Sequence, residues 1–280
     1  MGGIYEVLFT KCDIHGKNFQ GCDASILIDS TKSKSSEKDA GPNLTVRGFE
    51  LIDDAKRNLE AACPSTVSCA DIITLATRDA VALAGGPGYN VSTGRRDGLV
   101  SDSSEVNLPG PSLSISDAAR FFTAKGLTLN DMVVLLGAHT VGVAHCGFFR
   151  DRLSNFQGTG KPDPTMDPAL AATLLKTCGT QSRPLSRDPT VFLDQNTSFI
   201  LDNQFYNQIR SKRGILQIDQ ELALDSLSAP LASRLAANNN LFQQSFVNAM
   251  MKMGSVEVLV GNAGEIRKNC RVFNKPVGRA

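Results

Sequence analysis

The sequence contains no tryptophan, and aromatic residues make up only 6% of it. An excess of either charge is also missing, because 28 Asp and Glu residues balance 29 Lys and Arg residues and leave a formal net charge of +1 at pH 7. This balance gives no electrostatic reason to expect binding to nucleic acid or to an anionic membrane. Uninterrupted apolar runs of about 20 residues, the length that crosses a bilayer, are absent as well. We therefore expect neither nucleic acid nor a membrane as a partner.

The start of the sequence lacks the pattern of a signal peptide. Such a segment needs an apolar core of about 7 to 15 residues. Lys11, Asp13, His15 and Lys17 interrupt any such core here. Residues 1–20 also show neither helical periodicity nor strand alternation. We expect no signal peptide in this sequence.

The chain does have enough apolar sequence for a large core. With 280 residues, of which 41% are hydrophobic and 20% charged, it has the composition of a soluble globular protein. Apolar residues recur at helical spacing, and capping residues precede several of these runs. We expect one mostly α domain of two lobes, with almost no strand and mainly loop over 154–190. Besides the helix described next, helices are expected from Phe49 to Ala62, from Ser68 to Gly85, from Ser114 to about Lys125, from Asp202 to near Lys212, and over Leu231–Ala237 and Leu241–Met253.

The stretch Leu129–Cys146 combines a buried helix with a histidine just beyond its end. Thr128 and Asp131 form a cap signal ahead of an apolar run that closes at Gly137, and His139 follows. One imidazole nitrogen can ligate a metal if the other nitrogen finds an anionic partner. A lone histidine beside an apolar helix is more often a hydrogen-bonded core residue. The rest of the chain therefore decides between these two interpretations.

Seven cysteines are spread widely along the chain. Cys63 and Cys69 are the only close pair, and no second pair exists to complete a zinc site. Long-range disulfide bonds fit the spacings better and imply an oxidising compartment, with at least one cysteine unpaired because the number is odd. Sequons at Asn43, Asn90 and Asn196 agree with secretion.

Seven short motifs follow one another in order along the chain. They are Gly21–Ser25, Arg47–Phe49, Val67–Asp71, Gly94–Asp97, Gly137–Thr140, Gln217–Leu222 and Gly264–Arg267. Together they resemble those of the plant secretory haem peroxidases, the class III family, from Gly21 to about Phe273. The resemblance implies a mostly α haem-peroxidase fold, with two helical lobes around a haem cleft. It also implies an enzyme that uses hydrogen peroxide to oxidise phenolic donors by single electrons.

By this resemblance, His139 is the axial ligand of the iron of haem b. Asp219 is then the carboxylate that accepts the other imidazole N–H and makes the ring more anionic, which favours cleavage of the peroxide O–O bond. The donor is expected to meet the haem edge near Pro109. His145 falls where the family has a polar residue near a haem propionate, and on a helix its spacing would turn it away from His139.

The resemblance also implies two bound Ca²⁺ ions, held by the hard oxygen donors that this ion prefers. The proximal calcium ligands are expected to be Thr140, Asp194, Thr197, the carbonyl of Ile200, and Asp202. The distal calcium ligands are expected to be Gly21, Asp23, Ser25 and, through water, Glu37. The proximal site has the better matched set and is the one we expect to be retained.

Disulfide pairing is likewise taken from the resemblance. Cys22 and Cys63 are expected to lose the partners that they have in the family. The expected disulfide bonds are Cys69–Cys270 and Cys146–Cys178.

Residues 1–20 depart from the family pattern. His15 falls on the position of the distal base, the group that moves a proton between the peroxide oxygens. Where the family has an arginine this chain has Lys11, which lacks the planar fork of a guanidinium, and where it has a calcium-binding aspartate this chain has Gly16. We expect an atypical N-terminal segment over 1–20, in which the first family helix is missing, and a haem peroxidase domain over 21–280.

Two other interpretations stay open. One is a catalytically impaired peroxidase-like protein that lacks the distal arginine and binds haem or serves a structural role. The other is a zinc enzyme or hydrolase using His139, His145 and an aspartate, although the chain lacks a close-spaced pair such as His-x-x-x-His. The resemblance further implies hydrogen peroxide and small phenolic donors as partners, a monomer, and secretion to an extracellular or vacuolar location.

Overall fold

The computed structural model describes residues 22–274 of the chain. The expectations for His15, for Gly21 and for the missing first family helix fall outside these residues. So does the boundary expected after residue 20, which stays a prediction.

Residues 22–274 form a mostly α structure, which confirms the expected fold class. The α-helices of this range are α1 (Phe49–Ala62), α2 (Cys69–Leu83), α3 (Ile115–Ala124), α4 (Leu129–Leu136), α5 (Asp151–Ser154), α6 (Pro168–Cys178), α7 (Gln204–Arg210), α8 (Gln217–Leu224), α9 (Ala229–Ala237) and α10 (Asn239–Met253). The two short strands of this range, β1 (Val143–His145) and β2 (Thr190–Phe192), pair antiparallel with Ala144 opposite Val191.

Hydroxyl side chains cap the starts of three helices at the positions that the sequence predicts. Thr128 and Asp131 form a capping box ahead of α4, in which the Asp131 N–H donates to Thr128 Oγ1 (3.1 Å) and the Thr128 N–H donates to Asp131 Oδ2 (2.9 Å). Ser114 accepts a backbone N–H at the start of α3, and Ser68 does so ahead of α2. These bonds satisfy N–H groups that have no partner within the helix.

Helix α6 lies inside the region expected to be loop, so that expectation is wrong there. Asp167 Oδ1 accepts the N–H of Leu170 (2.8 Å), and Pro168 occupies the first helical position, where no N–H is needed. Leu170 and Leu174 then pack into the core. The Gly, Pro and Asp content of the surrounding sequence hid a regular helix start.

Contacts within the chain divide it into two compact units. The first unit contains the described residues up to Leu83, the segment Gly88–Leu108, and the described residues from Met250 to Asn274. One core cluster of this unit packs α1 against α2 around Ile52 and Ile73.

The second unit contains Ala84–Pro87 and the long segment Pro109–Ala249. One of its core clusters includes Phe149 on the way into α5 and Leu174 of α6. This unit carries α4 and α8, the helices that position the residues of the site described below.

Three cysteine expectations are met and one is wrong. Cys63 is a half-buried free thiol, as expected. Cys22, however, is disulfide-bonded. Its expected lack of a partner rested on family spacing ahead of Gly21, which this chain does not follow. The structure also contains the expected bonds Cys69–Cys270 and Cys146–Cys178.

Within residues 22–274, no single helix is both long and apolar enough to cross a bilayer. Helix α3 and the stretch Leu129–Thr140 pass that test of length and composition only as a pair, joined across a bend of 108°.

Candidate functional site

His139 lies in a short 3-10 turn, Gly137–Thr140, that continues directly from α4. The helix ends at Gly137 without a left-handed residue, since φ there is −60°. Glycine is needed for another reason: a Cβ at this position would lie 2.3 Å from Tyr206 Oη and 2.6 Å from Phe242 Cε2. The missing side chain lets two buried rings pack against the turn that carries His139.

The imidazole of His139 is hydrogen-bonded to the carboxylate of Asp219, with Nδ1 and Oδ1 2.8 Å apart. The side chain of Asp219 is 1% exposed, whereas that of His139 is 17% exposed. Because Nδ1 is bonded to the carboxylate, Nε2 is the nitrogen that would ligate a metal. The structure therefore brings together the two residues that the sequence singled out.

Asp219 changes the acid–base behaviour of its neighbours. Burial by itself lowers the pKa of His139, but the charge of Asp219 and the hydrogen bond outweigh burial, so this pKa is raised above its ordinary value of 6.5. Burial first, and then the charge of Asp219, raise the pKa of Tyr206 well above 10.0. Tyr206 therefore stays a neutral donor, with its Oη 2.9 Å from the carbonyl oxygen of Val133.

Asp219 occupies the third position of α8, a helix that the sequence did not predict. Leu216 precedes this helix and no side chain caps it, so the usual sequence signal of a helix start is missing. The N–H of Ile218 donates to the carbonyl oxygen of Pro111 (2.9 Å). This bond connects α8 to the loop that carries the expected donor-contacting residue, Pro109, which is half-buried.

Aromatic rings that sequence reasoning missed pack next to the imidazole. The ring of Phe205 lies edge-on to His139 with 6.0 Å between centroids. It packs against Tyr206 at 5.2 Å, which in turn packs against Phe242 at 5.5 Å. Because these rings are at most 1% exposed, they restrict the orientation of the histidine. The sequence does show Phe205 and Tyr206 as adjacent aromatic residues on α7, but their spacing does not indicate that they lie near His139.

The 3-10 turn also contributes a hydroxyl to a cluster of oxygen atoms. Thr140 Oγ1 lies 3.0 Å from Asp194 Oδ2, 3.2 Å from Asp202 Oδ1 and 3.5 Å from the carbonyl oxygen of Ile200. Thr197 Oγ1 lies 3.2 Å from Asp194 Oδ2 and 3.0 Å from Asp202 Oδ1. The residues expected to form the proximal calcium site are therefore all in one place, which we call the proximal oxygen cluster.

The chemistry of the proximal oxygen cluster fits a cation. A hydroxyl carries one hydrogen, so Thr140 and Thr197 can each donate to only one carboxylate at a time. The other short oxygen–oxygen contacts then have no hydrogen between them. A bound cation would relieve this repulsion by accepting lone pairs, and Ca²⁺ prefers carboxylate, hydroxyl and carbonyl oxygens.

Three of the four residues expected at the distal calcium site also lie together, in the first unit. Ser25 Oγ is 2.7 Å from Asp23 Oδ1 and 2.9 Å from Glu37 Oε2. The three residues are at most 3% exposed. Gly21, the fourth, lies outside the described residues. One hydroxyl between two carboxylates again fits a cation, by the argument used for the proximal oxygen cluster.

His145 does not lie on a helix, so helical spacing does not describe its position relative to His139. It is the last residue of β1, opposite Thr190, and its Nδ1 lies 3.0 Å from the carbonyl oxygen of Asp188. No group of three or more His, Cys, Asp or Glu side chains in the described part of the chain is arranged to hold a metal ion. The geometry therefore gives no support to a zinc enzyme built on His139 and His145.

The helical fold and the histidine–aspartate pair define a class of protein that comparison with known families identifies. The family model described as "Peroxidase" matches residues 2–238, and the chain belongs to this peroxidase family. Membership confirms the resemblance, the haem-peroxidase fold and an oxidoreductase function that uses hydrogen peroxide. It favours an active enzyme over an impaired relative. The matched range begins ahead of Gly21 and thus includes most of the segment expected to be atypical.

Plant peroxidases are among the similar proteins. The chain is 58% identical to Peroxidase 57 of Arabidopsis thaliana over 264 residues, and this aligned region covers 94% of this chain and 81% of that protein. It is 53% identical over 267 residues to Peroxidase 44 of the same plant, covering 95% and 82% of the two chains. Peroxidase 5 of Vitis vinifera is 44% identical over 275 residues, with 97% and 82% covered.

Proposed function

We propose that the chain binds haem b through His139 and uses hydrogen peroxide to oxidise small phenolic donors one electron at a time. The observation that carries this proposal is the 2.8 Å hydrogen bond between His139 Nδ1 and Asp219 Oδ1, in a chain of the peroxidase family. When bound, the haem would supply the iron redox chemistry that reduces peroxide, and the donors would replace the electrons that it gives up.

The residues around His139 fit a haem iron, which Nε2 of His139 would ligate. Asp219 accepts the Nδ1 hydrogen and so fixes the tautomer that leaves the Nε2 lone pair for the metal. Phe205 holds the ring edge-on, and Gly137 lets the aromatic residues behind the turn approach closely. The carboxylate also raises the electron density of the imidazole, which strengthens it as a ligand.

We place a structural Ca²⁺ ion in the proximal oxygen cluster. Thr140 belongs both to that cluster and to the turn that carries His139, so a cation there would fix the backbone beside the axial ligand. A second Ca²⁺ ion is proposed at Gly21, Asp23, Ser25 and Glu37. The contacts of Ser25 with two carboxylates support the second site.

On the peroxide side, His15 is the proposed base. It would take a proton from peroxide and return it to the leaving oxygen. This assignment rests on the family resemblance alone, because His15 lies outside the described residues.

The donors proposed are small phenols that approach near Pro109, and the proposed active form is a monomer. Secretion, to an extracellular or vacuolar location, is proposed from the plant relatives and agrees with the disulfide bonds. Bonds such as Cys69–Cys270 and Cys146–Cys178 persist in oxidising compartments.

Reconstitution with haemin tests the proposal directly. We expect a Soret band and guaiacol oxidation that depends on peroxide. His139→Ala should lose axial ligation and turnover together. Lys176→Ala is the control, because this side chain is exposed on α6 and has no role in the proposed site, and it should keep both signals.

The outcomes separate the possibilities. A Soret band with negligible turnover would show that the protein binds haem but is catalytically impaired. The absence of any Soret band would exclude haem binding. His15→Ala should abolish turnover and keep the Soret band. Full activity of that variant would exclude His15 as the base.

A further inference from the structure

A buried arginine lies just ahead of the helix that carries Asp219. Arg152, on α5, is 1% exposed and is among the largest fully buried side chains of the described residues. Its Nη1 donates to the carbonyl oxygens of Gly214 (2.9 Å) and Ile215 (2.7 Å). Its Nε donates to Asp163 Oδ2 at 2.8 Å. The guanidinium therefore holds residues 214 and 215 in a fixed position.

The carboxylate that orients Arg152 is itself fixed. Asp163 Oδ1 accepts the N–H (2.7 Å) and the hydroxyl (2.6 Å) of Thr165, and the Asp163 side chain is 1% exposed. Within residues 22–274, Arg152 Nη2 is buried without a hydrogen-bond partner. The bonds of Nε and Nη1 therefore set the orientation of the guanidinium plane. The single ammonium of a lysine cannot reproduce two donors at these separate positions.

No side chain caps the start of helix α8, and the segment that Arg152 holds leads directly into it. The Gly214 N–H donates to Gln220 Oε1 (3.1 Å), and Gln220 Nε2 donates to the carbonyl oxygen of Ile209 (2.8 Å). A Cβ on Gly214 would lie only 2.9 Å from the backbone nitrogen of Gln220. The segment held by Arg152 is thus packed closely against the first turn of α8, and a displacement of the segment would move the helix.

The contact between His139 and Asp219 joins two pieces of chain that are held separately. Thr140 ties the histidine turn to the proximal oxygen cluster. Arg152 holds the piece that enters the helix of Asp219. A hydrogen bond of 2.8 Å tolerates a shift of less than about 1 Å before it is lost.

We propose that Arg152 is a positioning residue that sets the placement of Asp219 against His139, and with it the strength of the imidazole as an axial ligand. This inference rests on the proposed role of His139 as the haem ligand. Arg152 bonds Asp163 and the carbonyl oxygens of Gly214 and Ile215, so it would act through the placement of Asp219.

The test has to separate positioning from folding. Removing one partner of a buried ion pair is strongly destabilising, whereas replacing both partners by apolar residues of similar volume is often tolerated. The first variant is therefore Arg152→Met combined with Asp163→Leu, which keeps the core filled and removes the bonds to the carbonyl oxygens. The second variant, Arg152→Lys, keeps the charge and loses the fork, and it serves if the double variant does not fold.

The first unit offers a matched control. Arg95 and Asp71 form another buried ion pair, with Nη1 and Oδ1 3.1 Å apart and side chains 8% and 7% exposed. Arg95 Nε likewise donates to a backbone carbonyl oxygen, that of Gly254 (3.0 Å). Arg95→Met combined with Asp71→Leu removes the same chemistry from the unit that does not contain His139.

Two spectroscopic readouts report on the imidazole. In the haem-free protein, the NMR signal of the His139 Nδ1 proton should move upfield in both Arg152 variants, because its hydrogen bond to the carboxylate lengthens. In the reduced haem protein, the iron–imidazole stretch in the resonance Raman spectrum should move to lower frequency. Turnover should fall roughly tenfold in kcat, with the KM for guaiacol unchanged. The control pair should lower the urea midpoint and leave both spectra as in the parent.

Unchanged NMR and Raman signals in the Arg152 variants would overturn the proposal, whatever their stability. Equal shifts in the Arg95 control would overturn it as well, since the effect would then be a general loosening of the fold. If the parent protein binds no haem, the proposed function fails, but the NMR comparison still decides the role of Arg152.

Discussion

Replacing Gly137 by alanine should destabilise the chain and disturb the histidine turn. The added Cβ would lie 2.3 Å from Tyr206 Oη and 2.6 Å from Phe242 Cε2, whereas ordinary carbon contacts need about 3.5–4.0 Å. Both rings are 0% exposed, so neither has open space to enter. Tyr206 has to retreat by roughly 1 Å or more. That movement breaks its 2.9 Å hydrogen bond to the carbonyl oxygen of Val133.

The size of the effect follows from these two losses. Overpacking a well-filled core costs about 1–3 kcal/mol. Leaving a buried hydroxyl without its acceptor costs about 1–3 kcal/mol more. We expect the free energy of unfolding to fall by about 2–6 kcal/mol, against the roughly 5–15 kcal/mol of a typical folded protein. Haem affinity should fall too, because the turn shifts His139 away from Asp219.

Urea unfolding followed by circular dichroism measures this change. Gly88→Ala is the matched control, because a Cβ there would meet no atom within 4 Å. The control should stay within about 0.5 kcal/mol of the parent. Combined with Tyr206→Phe, which removes the nearest atom, Gly137→Ala should cost less than the sum of the single changes. A Gly137→Ala protein within about 0.5 kcal/mol of the parent would refute the packing argument.

Three further predictions concern charge and cations. Asp219→Asn keeps a hydrogen-bond acceptor beside the imidazole but removes the negative charge. The reduction potential of the bound haem should therefore rise, and kcat should fall roughly 10–100-fold. An unchanged reduction potential in spectroelectrochemistry would contradict the role assigned to Asp219. A calcium chelator should lower the thermal unfolding midpoint of the parent. Thr140→Val should lose the part of that sensitivity that comes from the proximal oxygen cluster, and equal sensitivity in the two proteins would exclude calcium there. Burial raises the pKa of Asp163, but the hydrogen bonds from Thr165 and the bond and charge of Arg152 together lower it below 3.8. The ionised Asp163 therefore stabilises the folded protein above about pH 4, and this stabilisation is lost as the pH falls through its pKa in the folded state. The urea midpoint of the parent should decrease at acidic pH, and Asp163→Asn should make this decrease smaller.

Local signals in the sequence were enough to predict the helix that leads to the site. Thr128 and Asp131 cap α4 by bonds between neighbours in the chain, and such bonds leave a pattern that can be read directly. The end of that helix at Gly137 was also predicted, but its reason was not. The rings that require a glycine there come from α7 and α10, and no pattern within the chain joins those helices to this turn.

The partner of the histidine was found by family motif, while the structure that holds it was not predicted. Asp219 lies on α8, which has no side-chain N-cap; the segment ahead of it is held by bonds from Arg152 and to Gln220, residues far from it in sequence or inside the helix. Such bonds leave no periodicity and no cap residue in the sequence. Helix α6 was missed for a different reason, since its cap at Asp167 was present but stood among loop-forming residues.

The first unit draws its segments from both ends of the chain, whereas the second is almost continuous. Protein chains emerge from the ribosome N-terminus first and usually fold in that order. Here the first unit cannot be completed first, because its bond between Cys69 and Cys270 joins residues 201 positions apart. Throughout that interval the Cys69 thiol has the free Cys63 as a close neighbour in sequence. An early Cys63–Cys69 bond would block the Cys69–Cys270 bond, so correct pairing depends on when the thiols are oxidised relative to synthesis.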